Sequence, residues 1–238
     1  AAIAAGLAPD GKAFALDAWG LDCQGDDPFD PAFLSAAPGF AEGLPDMPIS
    51  LYERGIAMAA RPGTEVLATT TAPYYNAIWD GRHGHRYTPP DRDTGRPAVT
   101  LCGRVAHASH PLFRTYFTSG ALPMRQVVAN LLARLLPEPL IQAPGAPAFT
   151  RITVTSQPGR RMVYALAYLP ESRGAGINMI EEPMEVSDLC LRLRLDGRRP
   201  RRAYLAPGGE ALALSVGDRY AEVTLPRLRG WAVVVFEE

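Results

Sequence analysis

The second half of the chain alternates apolar and polar residues with a strict period of two. Leu189–Leu195 places four leucines on one side of a strand and two arginines on the other. Phe149–Thr155 and Arg161–Tyr168 alternate in the same way. This period indicates strands with one buried and one solvent-facing side. Because further strand-like runs follow, separated by Gly- and Pro-containing turns, we predict a small antiparallel β-sandwich over residues 143–238.

The first half combines a helical period with short apolar runs. Within Met124–Leu136 the apolar residues recur at the spacing of one helix face, and Pro137 is placed to end that helix. Glu65–Thr70 and Ala98–Cys102 are short apolar runs typical of buried strands. Helices and short strands that intermingle predict an open α/β layer of the flavodoxin type over residues 1–142. The fold class expected for the whole chain is therefore α+β.

Composition excludes some classes of function. With 24 basic and 25 acidic residues the net charge is −1, which predicts neither nucleic acid nor an anionic membrane as a partner. The three cysteines are far apart and form no CxxC pair, so free thiols in a reducing, cytoplasmic compartment are expected. No apolar run reaches the ~18 residues of a membrane span. The chain starts without a methionine or a signal-peptide pattern, so we expect a fragment that is incomplete at its N-terminus.

The four histidines of the chain fall within one short stretch and can be interpreted as a metal site. They form an HxH pair, His83 and His85, and an HxxH pair, His107 and His110. Imidazole is a common ligand of zinc and other transition metals. The spacing matches no known metal mechanism, so a metal-dependent enzyme using these four histidines is kept as an alternative only. We expect no metal and no other cofactor.

A second interpretation is a sugar-binding loop. Aromatic, amide, guanidinium and imidazole side chains concentrate just before the rigid segment Arg86–Pro90. Such side chains stack on sugar rings and hydrogen-bond to sugar hydroxyls, although the same aromatics also suit a protein interface or cover for the core. The predicted substrate-binding residues are Tyr75, Asn76, Trp79, Arg82, His83 and His85.

Signatures of catalysis are missing from the sequence. There is no GxSxG nucleophile elbow and no phosphate-binding glycine loop. Glu181 and Glu182 are two carboxylates, but adjacent side chains diverge, whereas a glycosidase pair must face each other across roughly 5 Å or more. We therefore predict no catalytic residue in this chain and interpret the glutamates as part of a solvated turn.

Three long stretches together resemble a known family. PYYNAIWDGRHGHRYTPP and PAVTLCGRVAHASHPLFRTYFTSGALPMRQVVANLLARLLP resemble the β-galactosidase trimerization domain, a glutamine-amidotransferase-like α/β layer. That domain follows the catalytic barrel in family 42 β-galactosidases and in bacterial α-L-fucosidase-like relatives. The fucosidase-like branch is more similar, through its histidine-rich loop ending in Thr-Pro (here His83–Pro90) and its helix start (here His110–Phe113). RMVYALAYLPESRGAGINMIEEPMEVSDLCLRLRL resembles the closing β domain of the same enzymes.

The resemblance implies a non-catalytic role within a glycoside hydrolase. The parent enzyme would carry an N-terminal (β/α)₈ barrel with two catalytic carboxylates, for which this chain is too short. The expected partners are that barrel, further copies of the chain bound through residues 1–142, and carbohydrate. The loop around residues 74–90 would lie near the active-site mouth, and the substrate would end in a fucosyl or galactosyl residue. The alternative from another class is a stand-alone carbohydrate-binding or scaffold module.

Overall fold

The chain forms two compact units. The computed structural model describes residues 2–4, 13–14, 16–77 and 87–238. The two units are residues 1–137, here called unit 1, and residues 138–238, here called unit 2. The assignment of two domains with the boundary at residues 142 and 143 stays a prediction.

Unit 1 contains eight strands and two α-helices within its described residues. The elements are β1 (Ala2–Ala4), β2 (Leu21–Asp26), β3 (Ala32–Ala36), β4 (Ile49–Leu51), β5 (Ile56–Ala60), β6 (Glu65–Pro73), β7 (Pro90–Cys102), β8 (Val105–Ala108), α1 (Leu112–Ser119) and α2 (Leu122–Leu135). Six strands form one sheet in the order β1-β8-β7-β6-β3-β4, and β2 pairs with β5 in a separate ribbon. In the larger sheet only β1 and β8 run parallel, and the other neighbours are antiparallel.

The two helices of unit 1 follow its strands consecutively. Gly120, in the left-handed conformation, ends α1 and donates its N–H to the carbonyl of Tyr116. The buried residues of α2 recur every three or four positions and pack with the strands in one hydrophobic core. These residues are Met124, Val127, Leu131 and Leu135. The helix predicted over 124–136 is therefore present.

The predicted open α/β layer is wrong. An α/β layer requires strands that alternate with helices around a mostly parallel sheet. In unit 1 the strands come first, the helices come last, and all but one pairing in the main sheet is antiparallel. Pro90–Arg96, which is polar and contains Gly95, has a sequence typical of a loop, whereas in the structure it forms the mostly exposed half of the 13-residue strand β7. Without this polar half of β7, the apolar runs of unit 1 have the lengths of the short buried strands of an α/β layer.

Unit 2 is built almost wholly from strands. They are β9 (Ile141–Gln142), β10 (Thr150–Gln157), β11 (Arg160–Ala167), β12 (Glu171–Ser172), β13 (Asn178–Met179), β14 (Glu185–Arg194), β15 (Arg202–Ala206), β16 (Glu210–Leu212), β17 (Leu214–Val216), β18 (Tyr220–Arg229) and β19 (Trp231–Glu237). One sheet has the order β10-β11-β19-β15-β16 and the other β17-β18-β14-β9, with antiparallel pairs throughout. β12 and β13 form a small separate hairpin.

The inner sides of the two sheets of unit 2 form one aliphatic core. Leu189, Leu191 and Leu193 of β14 are buried together with Val163 and Ala165 of β11. The residues between them on each strand point outward, as the alternation predicted. The β-sandwich character expected for this part of the chain is thus confirmed. The chain as a whole is mostly β rather than α+β.

Neither helix in the described ranges has the length and apolar character needed to cross a membrane.

Candidate functional site

The predicted sugar-binding loop starts and ends at one end of the central strand pair β6–β7 in the main sheet of unit 1. Pro73, the last residue of β6, pairs with Pro90, the first residue of β7. Beyond this pair the backbone N–H of Tyr74 donates to the carbonyl of Pro89 at 2.9 Å. The two arms of the loop, residues 74–77 and residues 87–89, are therefore hydrogen-bonded to each other next to the ends of β6 and β7. These contacts fix the positions of the first and last residues of the loop.

Tyr75 fastens the two arms of the loop together. Its backbone N–H donates to the Oγ1 of the buried Thr88 at 3.2 Å, and its phenol donates to the carbonyl of Tyr87 at 2.7 Å. The hydroxyl of this predicted substrate-binding residue is thus engaged with the backbone of the opposite arm. Its ring lies edge-on to Tyr74, with the centroids 6.2 Å apart.

Asn76 fastens the loop to the turn between β2 and β3. Its side-chain Nδ2 donates to the carbonyl of Pro28 at 3.1 Å, and its Oδ1 accepts the N–H of Asp30 at 3.1 Å. The next residue, Ala77, donates its N–H to the carbonyl of Asp30 at 2.7 Å. Asn76 therefore positions the loop, and a ligand hydroxyl would have to compete with two backbone groups for its amide.

The other four predicted residues, Trp79, Arg82, His83 and His85, lie outside the described residues. The flanks on both sides of them are described, and they carry two exposed phenol rings. Tyr74 is 72% exposed and Tyr87 is 83% exposed. Exposed aromatic rings flanking a fixed loop base are suited to stacking on a sugar ring. Neither tyrosine is among the predicted substrate-binding residues, although both stand in the motif PYYNAIWDGRHGHRYTPP.

A buried carboxyl lies in the turn between β2 and β3 that Asn76 contacts. Asp27 accepts the N–H of Phe29 through Oδ1, while Oδ2 has no hydrogen-bond partner among the described residues. Burial raises the pKa of the Asp27 carboxyl, and the N–H of Phe29 and the charge of Arg96 oppose that rise. The Arg96 guanidinium also lies 5.7 Å from the centre of the Phe29 ring. These contacts belong to the same turn between β2 and β3 that Asn76 binds.

The two described histidines are buried neutral side chains. The His107 ring packs edge-on to Phe14, with centroids 4.9 Å apart, and against Trp19 at 5.2 Å. Burial lowers the pKa of His107 to about 4. Neither ring nitrogen has a hydrogen-bond partner within the described part of the chain. His107 therefore serves the core of unit 1 as an aromatic residue.

His110 occupies a different environment beside a cavity. Its Nδ1 lies 2.8 Å from Ser109 Oγ, its ring lies against the backbone of Gly55, and burial lowers its pKa to about 4. A largely apolar cavity of about 380 Å³ is lined by His110 together with Ile3 and residues 111–114. Among the described residues no group of three or more His, Cys, Asp or Glu could hold a metal ion. The metal-site alternative also needs His83 and His85, which lie outside the described ranges.

The paired glutamates sit in an exposed turn, as expected from sequence. The Glu181 carboxylate accepts a hydrogen bond from Arg173 at 2.9 Å, and Arg173 also pairs with Glu171. All three side chains are half exposed or more. This ion-pair cluster bridges the β12–β13 hairpin and has the features of a surface contact rather than of a catalytic pair.

Comparison with solved structures shows what this fold is similar to. α-L-Fucosidase isoenzyme 2 from Paenibacillus thiaminolyticus matches 99% of this chain with a TM-score of 0.86 and 24% sequence identity. The β-galactosidase from Rahnella sp. R3 matches 93% of the chain with a TM-score of 0.50 and 14% identity. No family model matches the sequence, and no curated protein matches it either.

This chain spans only part of those enzymes. It covers 36% of the fucosidase chain and 24% of the β-galactosidase chain. At these identities the likeness shows a common fold and nothing more about activity. The fold is therefore one that occurs inside glycoside hydrolase chains, and the match to the fucosidase extends over both units.

Proposed function

We propose that this chain is a non-catalytic segment of a glycoside hydrolase and that its loop 74–90 lines the substrate site of the parent enzyme. The observation that carries the proposal is the match of 99% of the chain to 36% of an α-L-fucosidase. The loop supports it further, because its base is fixed by backbone hydrogen bonds and bears two exposed tyrosine rings. In the sugar-bound state, Trp79 stacks on the ring while Arg82, His83 and His85 hydrogen-bond to its hydroxyls.

The parent reaction is hydrolysis of a terminal fucosyl residue, with a galactosyl residue as the second candidate. The fucosidase match favours fucose, because it covers the chain more completely and with a higher TM-score than the β-galactosidase match. The catalytic carboxylates belong to a barrel elsewhere in the parent chain. We place the enzyme in the cytoplasm, where a reducing milieu keeps Cys23, Cys102 and Cys190 as thiols.

The test is steady-state kinetics of the full-length parent enzyme with p-nitrophenyl α-L-fucoside and the corresponding β-galactoside. His85→Ala and Trp79→Ala should each lower kcat/KM by about tenfold, as expected for one lost hydrogen bond or stacking contact in a binding site. Tyr52→Ala is the matched control, because Tyr52 is an exposed aromatic residue of unit 1 outside the loop. Unchanged kcat/KM in both loop variants would exclude a role of the loop in the substrate site.

Assembly of the enzyme through unit 1 is the second part of the proposal. α1 presents Phe113, Tyr116 and Phe117 at the i, i+3 and i+4 spacing of one helix face, and Phe117 is 90% exposed. An exposed aromatic patch of this kind supports a protein contact through α1. Phe117→Asp should lower the oligomer size of the parent enzyme in sedimentation, whereas Tyr52→Asp should not. An unchanged oligomer in Phe117→Asp would remove α1 from the contact.

A further inference from the structure

One row of polar side chains crosses the outer side of the four-stranded sheet of unit 2. Arg192 of β14 is paired in register with Gln142 of β9 and with Glu222 of β18. Glu222 is in turn paired with Ser215 of β17. All four strands of the sheet therefore contribute one residue to the same transverse line. The line places an amide, a guanidinium, a carboxylate and a hydroxyl side by side.

The strands beneath this row are held by the core of the sandwich. Leu191, Leu193, Ala221 and Val223, the residues on either side of Arg192 and Glu222, are buried on the inner side of the same strands. The Arg192 Nε donates to Glu222 Oε2 at 2.5 Å. The buried core fixes the backbone of the strands, and this hydrogen bond fixes the side chains of Arg192 and Glu222. The row is therefore preorganised for a ligand.

Tyr220 forms the wall of a cavity above the row. It occupies the next outward position on β18, and its hydroxyl donates to the carbonyl of Pro139 at 2.9 Å and accepts from Gln142 Nε2 at 3.3 Å. The row, Tyr220 and the turn Gly217–Arg219 line an open cavity of about 340 Å³. This volume lies at the lower end of the range for small-molecule sites, roughly 300–1,000 Å³.

Most residues that line this cavity are polar or charged, and their charges sum to zero. Its two arginines, Arg192 and Arg219, are balanced by Asp218 and Glu222. Arg219 also forms an ion pair with Glu138. Beside the row, burial and the neighbouring Glu222 raise the pKa of the Cys190 thiol, which therefore adds no charge. Because anion sites need uncompensated guanidinium or ammonium groups, this lining disfavours phosphate.

The donor and acceptor groups of the lining match the needs of a sugar hydroxyl, which both donates and accepts hydrogen bonds. The Glu222 carboxylate accepts, the Arg192 guanidinium and the Gln142 amide donate, and the Ser215 hydroxyl does either. An aromatic side chain at the edge of such a group supplies the flat apolar surface against which a sugar ring packs.

We propose that this cavity of unit 2 binds a neutral sugar residue with neighbouring hydroxyls. Glu222 and Arg192 bind two adjacent hydroxyls, Gln142 and Ser215 bind further ones, and Tyr220 contacts the ring. This is a second carbohydrate site, formed by residues other than those of loop 74–90. It would hold a non-reacting part of a glycan and raise its local concentration at the enzyme.

The test is an NMR titration of the 238-residue chain with L-fucose, D-galactose and, separately, inorganic phosphate. The proposal predicts saturable amide shifts at Gln142, Arg192, Ser215 and Glu222 with one of the two sugars and none with phosphate. Shifts only at residues 74–90 would support the loop site and overturn this one. Shifts only at the polar row would support this site, while the loop keeps its own test in the parent enzyme, so the two proposals fail separately. Shifts with phosphate but with neither sugar would also overturn the proposal.

Variants separate binding from a merely structural role of the pair. Glu222→Gln should weaken sugar binding by about tenfold or more, since a charged hydrogen bond is lost. Glu185→Gln is the matched control, because Glu185 forms an ion pair with Arg227 on the same two strands but does not line the cavity. Equal effects of both substitutions, or no effect of either, would contradict the proposal.

A second variant keeps the test valid if Glu222→Gln does not fold. Ser215→Tyr leaves the Arg192–Glu222 pair intact and fills the cavity from an exposed position on β17. It should abolish the sugar-induced shifts while the dispersed spectrum of the sandwich is retained. Retained binding in a folded Ser215→Tyr protein would overturn the assignment of this cavity.

Discussion

Unit 1 and unit 2 differ in how many polar side chains they bury. Of the polar or charged residues that are buried in the described structure, unit 1 holds nine and unit 2 holds one, Arg161. The nine include Asp27, His107 and His110, while the two terminal nitrogens of Arg161 donate to the carbonyls of Arg194 and Arg198. Burying a polar group costs free energy unless it finds a partner. Unit 1 therefore depends on the protonation state of its core, whereas unit 2 depends on aliphatic packing.

The candidate sites differ in the same way. The base of the loop in unit 1 is held by hydrogen bonds from Tyr75 and Asn76 to backbone atoms of other segments. The row in unit 2 consists of side chains paired across regular strands. A loop that is held only at its ends tolerates changes in its sequence. The alignment of side chains in a row across strands is instead determined by the register of those strands. Four predictions test this contrast, ordered by the size of the expected effect.

Acid should unfold unit 1 before unit 2. The pKa of His107 and of His110 falls from 6.5 to about 4 on folding, so their stabilising effect is complete above pH 6.5 and is lost as the pH falls towards 4. Each shift corresponds to about 3 kcal/mol. The raised pKa of Asp27 offsets part of this loss, since it lets the folded state bind a proton first. Amide signals of Leu34 and Val99 should disappear at a higher pH than those of Leu191 and Val234. His107→Phe should reduce the difference, and simultaneous loss of both sets would contradict the contrast.

Truncation in the aliphatic core should affect unit 2 strongly and without pH dependence. Leu191 is fully buried between the sheets, and Leu191→Ala should cost about 2–5 kcal/mol in the free energy of unfolding of unit 2. Denaturant titration followed at amides of unit 2 measures this change at neutral and at acid pH. A loss that varies with pH as much as that of unit 1 would show that the two cores do not differ in this way.

A single methyl group should disturb unit 1 at His110. A Cβ on Gly55 would lie 2.5 Å from Cε1 and Nδ1 of His110, so Gly55→Ala forces the ring or the backbone to move. Overpacking of this kind costs about 1–3 kcal/mol. Gly39→Ala is the control, because a Cβ there would meet no atom within 4 Å. Equal melting temperatures of the two variants would show that the His110 ring adapts freely.

The smallest expected effect concerns the base of the loop. Asn76→Ala removes two hydrogen bonds to the turn after β2 and should destabilise that region by about 1–2 kcal/mol. Hydrogen exchange at the N–H of Asp30 and Ala77 should accelerate, while exchange in β7 beyond Pro97 stays unchanged. Asn76→Asp retains one acceptor and should accelerate exchange less. Unchanged exchange in Asn76→Ala would show that the two side-chain hydrogen bonds of Asn76 do not hold the loop.

The sequence predicted unit 2 well because alternation is a local signal. One strand such as β14 shows its buried and exposed sides within ten residues. The sheet of unit 1 offered no such signal, since β6 is buried along most of its length and its ladder with β7 shifts register repeatedly. The pairing of β3 with β6 also joins residues distant in sequence, which no local pattern shows.

For the candidate sites, residue types were visible and their partners were not. Tyr75 and Asn76 stood out by type, but Asn76 acts on a turn 46–48 residues away. The outward direction of Arg192 followed from alternation, whereas its alignment with Gln142, Glu222 and Ser215 follows only from strand register. Tyr74 and Tyr87 could have been found as the aromatic residues that flank the loop on each side.

The most direct test of the proposed substrate-lining role is hydrogen exchange of the full-length parent enzyme with and without L-fucose. The loop proposal predicts slower exchange in peptides covering residues 74–90 when fucose is bound. A peptide around Tyr52, exposed in the same unit, should exchange at the same rate in both states. If saturating fucose inhibits the enzyme and leaves exchange in residues 74–90 unchanged, the loop does not line the substrate site, and the role proposed for the loop is wrong.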